Sequence, residues 1–217
     1  MKKFHPYLFP LFLFILIFSI GAILKILFET FFPNPVPIIF FKTFTLSSFL
    51  ICIFLFLKKK NKKIFKFGKI GQEQIFVIFI LFALFVITNL FSLTFSEKDI
   101  YVKTLKSALF LSILSITINS VSEEIIYRGF IQPYINERIP TSATITPGNI
   151  FASLLMWTTH LGFFMVMEPL FACVSLILVA ISTLTLGYLR DKTKGILVPV
   201  FVHIICNYIH ISIHLFY

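Results

Sequence analysis

QIFVIFILFALFVITNLFSLTF (Gln74–Phe95) runs without a single charged side chain. An α-helix needs about 20 mostly apolar residues to cross a hydrocarbon core. The apolar positions are continuous, so the stretch lacks the period-two alternation of an outer-membrane strand. Only helices and closed barrels satisfy every backbone polar group in lipid. Gln74–Phe95 therefore reads as a membrane-spanning helix.

Six more helical segments fall at about 7–28, 37–57, 104–137, 149–167, 170–189 and 196–215. Of 217 residues, 58% are hydrophobic and only 13% charged, and the mean hydropathy is +0.97. That is too little polar material to coat a soluble domain of this size. The expected fold is all-α, a polytopic transmembrane bundle of about seven spans. It forms one integral membrane domain over 1–217, with three N-terminal spans in 1–103 and a second half over 104–217. The fourth segment is too long for a simple span, and Pro133 near its end biases the preceding residue away from helix, so a break is expected there. Lys2 and Lys3 before Tyr7–Phe28 resemble the start of a signal peptide. The apolar run is longer than a signal core and no clear small-x-small cleavage site follows, so the segment reads as a retained first span.

The net charge of +10 does not point to nucleic acid, because seven of the nineteen basic residues sit in one loop, KKKNKKIFKFGK (Lys58–Lys69). Between two spans such a cluster is read as cytoplasmic, against anionic headgroups. Counting spans from it puts the N-terminus, Arg138 and Arg190–Lys194 inside, with Ser96–Lys103, Glu168 and the C-terminus outside. The expected location is a cell membrane, the inner membrane of a bacterium. Cys52, Cys173 and Cys206 stand singly in apolar stretches without paired spacing and read as small core residues.

The second half differs from the first because its spans carry Glu123, Glu124, Arg128, His160, His203 and Asn207. Ionisable groups at membrane depth are costly and face a bundle interior or a wet cavity. Glu124 and Arg128 are spaced i, i+4 with the acid first, the favourable order for a pair. Glu123 is rotated about 100° from Glu124 and shares its face with Asn119 and Tyr127. One reading ties Glu124 to Arg128 and leaves Glu123 towards a polar cavity. The other places these charges, solvated and inert, at a helix end in the interface. His203 and Asn207 also stand at i, i+4 on one face. They suit donation to an oxyanion or, equally, a polar seam between helices. His210 and His214 continue the stripe and are read as packing residues.

Three motifs in this order resemble the CPBP family of intramembrane glutamic endopeptidases, which includes CAAX prenyl proteases and bacteriocin-processing and immunity (Abi-type) proteins. The first is Glu-Glu-x-x-x-Arg, present as Glu123, Glu124 and Arg128 followed by Gly129 and Phe130. The second is Phe-x-x-x-His, met by Met156 through His160, with methionine where the family has phenylalanine. The third is His-x-x-x-Asn, present as His203 and Asn207 after the lead-in LRDKTKGILVPVFVH (Leu189–His203). The resemblance covers roughly residues 105–210. It implies a protease core in 104–217 with its catalytic residues on the last four helices. Glu123 and His160 would activate a water, His203 and Asn207 would hold the oxyanion, and Glu124 and Arg128 would support the site. It further implies a peptide or protein substrate at the membrane, the bilayer as partner, no cofactor, no metal and no nucleic acid.

Two alternatives follow from the same residues. A zinc peptidase would assemble His160, His203 and Glu123 around a metal, although no H-E-x-x-H helix is present. A small transporter, or an idle scaffold or immunity protein, would use the acids and histidines without hydrolysis.

Overall fold

The computed structural model describes residues 5–31, 64–94, 109–165 and 167–216. The expected span 37–57, Lys58–Lys63 and the loop at 96–103 lie outside these residues. Among the described residues the chain is all-helical, without a strand. The helices are α1 (Leu8–Phe31), α2 (Gln72–Ser92), α3 (Leu109–Ile126), α4 (Gln132–Asn136), α5 (Pro147–Thr158), α6 (Pro169–Thr193) and α7 (Leu197–Phe216). Three of them, α2, α6 and α7, are long and apolar enough to cross a membrane.

Local chemistry sets the helix ends. Gln74 turns back to accept the Gly71 N–H at 2.8 Å at the start of α2. Thr146 caps α5 by accepting from the Asn149 N–H at 3.1 Å, and Pro147 occupies the first turn, where no N–H is needed. Pro169 opens α6 in the same way, and Lys194 ends it in the left-handed conformation at φ 55°.

Two expectations change here. The helix does not break at Pro133. Between α3 and α4 lies one π-helical turn, Tyr127–Ile131, in which the Gln132 N–H bonds Tyr127 O, and helix resumes with proline in its first turn. The widened turn takes up the disruption before the proline, where a missing N–H costs least. The fifth helix is also shorter than expected. α5 ends at Thr158 and a 3-10 turn, Leu161–Met165, follows, so its 12 residues cannot span a bilayer unaided.

Apolar packing joins the long helices through Leu81 of α2, Leu186 and Leu189 of α6, and Val198, Val202 and Cys206 of α7. A second cluster joins Tyr127, Ile131 and Ile135 to Ala152, Leu155 and Met156 of α5. Cys206 is buried as expected, whereas Cys173 is exposed, because its position on α6 faces away from the bundle.

The connections meet at one end. The Ile196 N–H bonds Ile64 O at 3.0 Å. A Cβ on Gly68 would lie 1.7 Å from Thr193 O, so only glycine lets these two loops touch. Tyr7 stacks on Phe151 with ring centroids 4.9 Å apart, bringing the start of α1 to α5. Asp191 ties the same end together by accepting from Thr146 Oγ1 at 2.8 Å, Arg190 at 2.9 Å and Asn136 at 3.3 Å. Lys66, Lys69 and Lys194 belong to these connections, and Arg190 and Lys192 to the last turn of α6 beside them.

Candidate active site

α3 carries the acidic pair. Glu124 is fully buried. Its Oε1 lies 3.0 Å from His203 Nδ1 on α7. A carboxylate oxygen here can only accept, so Nδ1 carries the proton. Its Oε2 is 3.6 Å from Arg128 Nε, an ion pair with no side-chain exposure on either side. That separation is too long for a hydrogen bond, and neither atom has another hydrogen-bond partner. Arg128 instead donates to Thr183 O at 2.6 Å and to Met156 Sδ at 3.1 Å.

Beside Arg128, the partner that helix spacing suggests, Glu124 thus also holds His203. The tertiary fold brings α7 against α3, which helix spacing alone does not show. The residue where the family pattern has phenylalanine also acquires a role. Met156 is buried, and its thioether accepts from the guanidinium while its carbonyl oxygen lies 2.9 Å from His160 Nδ1.

Glu123, with 21% of its side chain exposed, lies on the wall of the cavity. Asn119 Nδ2 donates to its Oε1 at 2.7 Å. Its Oε2 is 3.7 Å from His203 Nε2, so one imidazole sits between the two adjacent acids. His160, at the end of α5, has Nδ1 against Met156 O, which fixes the proton on Nδ1 and leaves Nε2 as the basic nitrogen. The Phe163 ring meets it edge-on at 5.3 Å. Asn207 donates from Nδ2 to Ser120 Oγ at 2.8 Å, and Ser120 in turn donates to Ile116 O.

Glu123, His160, His203 and Asn207 all line one mostly apolar cavity of about 460 Å³. Glu123 and His160 share it without a direct hydrogen bond. α2, expected to be a generic span, supplies Phe85, Thr88 and Asn89 to the wall. Asn89 pairs with His210, and Ser92 lies 3.0 Å from His214 Nε2, so both outer histidines are held by α2.

Asn119 and Ser120, one turn before the two acids, were not singled out by motif. The only signal was the four-residue offset of Asn119 from Glu123. Ser120 carries none, since its partner is 87 residues away. The Asn149 contact to Leu184 O at 3.0 Å, which clamps α5 on α6, is likewise invisible in sequence.

Membrane-length helices beside a cavity lined by carboxylate, imidazole and amide side chains define the class, an integral membrane helical protein with a polar site. Residues 105–209 match the family described as Type II CAAX prenyl endopeptidase Rce1-like, which agrees with the resemblance of the same stretch to the CPBP/CAAX proteases. No curated protein and no solved structure matches the chain.

Proposed function

We propose that this protein is an intramembrane endopeptidase of glutamic type, hydrolysing a peptide bond near the membrane interface with Glu123, His160, His203 and Asn207. The observation that carries the reading is that these four side chains line one cavity. Glu123 Oε2 and His160 Nε2 are the basic atoms not engaged by Asn119 or Met156 O, and between them they would take the proton of an attacking water. The oxygen of that water bonds the scissile carbonyl carbon, and the carbonyl electrons become an oxyanion. Collapse breaks the C–N bond as the stored proton passes to the leaving amine.

Asn207 keeps a second N–H on Nδ2 beside the one given to Ser120, which suits it to the oxyanion. His203 already gives its Nδ1 proton to Glu124. For it to donate from Nε2 the ring must carry both protons, as an imidazolium between two carboxylates. Glu124 and Arg128 then hold His203 and the α3–α6 packing.

The metal-independent form belongs to the same proposal, with a zinc peptidase as the rival that chelation tests. The gathering of lysines and arginines at one end of the bundle supports that end being cytoplasmic; a seven-span count, with α5 and the turn after it together making one crossing, a cytoplasmic N-terminus, an outer C-terminus and a bacterial inner membrane belong to the same proposal. The domain division at about residue 104, a peptide or protein substrate and the absence of a nucleic-acid partner belong to the same proposal. A prenylated tail is the substrate that the family's description suggests.

The test is twofold. Purified full-length protein is assayed with a fluorogenic peptide ending in a prenylated CAAX sequence. Membrane proteomes of wild-type and Glu123→Gln cells are then compared for proteins that accumulate uncleaved. Cleavage that persists in both Glu123→Gln and His160→Ala refutes the proposal and favours the idle scaffold or transporter.

A further inference from the structure

A glutamate side chain has three rotatable bonds, and at 21% exposure Glu123 is not locked by packing alone. Its neighbouring acid has taken the available cation. Arg128 is spent on Glu124, Thr183 O and Met156 Sδ. The group that does hold Glu123 is neutral, the Asn119 carboxamide, which also lines the cavity.

We propose that Asn119 is the positioning residue of the water-activating carboxylate, a proposal that rests on Glu123 being that base. The Asn119 Nδ2–H bond at 2.7 Å occupies Oε1 and fixes the plane of the carboxylate. Oε2 is left 3.7 Å from His203 Nε2, too far to be consumed by a hydrogen bond, on a residue that lines the cavity. The two oxygens thereby divide their work, one as anchor and the other as proton acceptor. A lysine or arginine in this place would aim the group equally well but would neutralise it. An amide aims it and leaves its charge intact. The spacing of one helical turn makes the pair independent of helix–helix movement, since both side chains leave the same face of α3.

A merely structural Asn119 would alter stability, whereas a positioning Asn119 alters turnover at constant substrate binding. The experiment uses the full-length protein in detergent with the prenylated CAAX peptide as probe. Asn119→Ala is expected to lower kcat on the order of 10–100-fold, the worth of one hydrogen bond to a charged group, with KM within about twofold. Asn119→Asp keeps the shape but loses the donor when ionised and is expected to show the same loss, which covers the case in which Asn119→Ala fails to fold. Combined with Glu123→Gln, Asn119→Ala is expected to add little, because the two act as one unit.

Wild-type kcat in both Asn119 variants while Glu123→Gln is inactive overturns the positioning role alone, as does a double variant in which the two losses multiply in full. Wild-type cleavage by Glu123→Gln, or a wild type inert towards the probe, overturns the catalytic reading and the proposal with it.

Discussion

His203 Nδ1 lies 3.0 Å from Glu124 Oε1, so the acid that helix spacing pairs with Arg128 also anchors the last helix. A fully buried carboxylate is tolerable only with such partners. Its neighbour Glu123 contacts the same ring from the other side but faces the cavity.

The two isosteric variants should therefore separate. Glu124→Gln leaves Arg128 without its counter-ion in a fully buried site, which is expected to cost about 3–5 kcal/mol. Thermal unfolding in detergent should show a large fall in Tm. Glu123→Gln keeps an oxygen to accept from Asn119, so its Tm should stay close to wild type while cleavage falls by about 10²–10⁴-fold. Equal Tm values for the two variants would contradict this division.

Met156 offers a second comparison. Its sulfur is an acceptor for Arg128 at 3.1 Å in a site with almost no exposure. Met156→Leu preserves bulk but leaves a guanidinium N–H unsatisfied, and is expected to cost about 1–3 kcal/mol. Met156→Phe, which restores the family's residue, loses the acceptor and adds a rigid ring, so it should destabilise more. A Met156→Phe protein as stable as wild type would show that the sulfur contact is dispensable.

The α5–α6 contact depends on Gly187. A Cβ there would lie 1.8 Å from Asn149 Oδ1, and Asn149 is fully buried with its amide on Leu184 O. Gly187→Ala forces the Asn149 side chain aside and breaks its bonds to Leu184 O and Ser153, which loosens α5 from α6 and with it Met156 and His160. The expected outcome is loss of cleavage with a lowered Tm, by about 2–4 kcal/mol. Gly162→Ala meets nothing within 4 Å and serves as the neutral control.

Much of this site could be read from single-helix spacing. Glu124 with Arg128, and His203 with Asn207, are i, i+4 pairs, and periodicity places each on one face without knowing the fold. The apolar length of Gln72–Ser92 and Leu197–Phe216 was equally plain, because hydropathy decides those helices alone. What escaped were relations between helices. The Glu124–His203 contact spans 79 residues, and the Asn207–Ser120 bond spans 87. The π turn at Tyr127–Ile131 was misread as a break at Pro133, since proline signals disruption without saying on which side it is absorbed. The role of Met156 is not legible in the sequence either, because a thioether's weak acceptor matters only once a donor is known to face it.

Chelation separates the metal-independent reading from its zinc rival. Treatment with excess 1,10-phenanthroline and EDTA should leave kcat/KM for the probe peptide unchanged. Loss of activity that is restored by added Zn²⁺ would instead place Glu123, His160 and His203 around a metal.

The cavity itself can be tested without touching Glu123, His160, His203 or Asn207. Ser175 is a small, buried residue of α6 on its wall, in the stretch where the lining is mostly apolar. Ser175→Trp projects an indole into the space and leaves Glu123, His160, His203 and Asn207 in place. If the substrate occupies the cavity, the lost volume removes binding that the ground and transition states share. KM should then rise, by about tenfold or more, with a smaller change in kcat. Because the indole enters existing space rather than packed core, Tm should remain near wild type. An unchanged KM in a well-folded Ser175→Trp protein would mean that the substrate reaches Glu123 by another route.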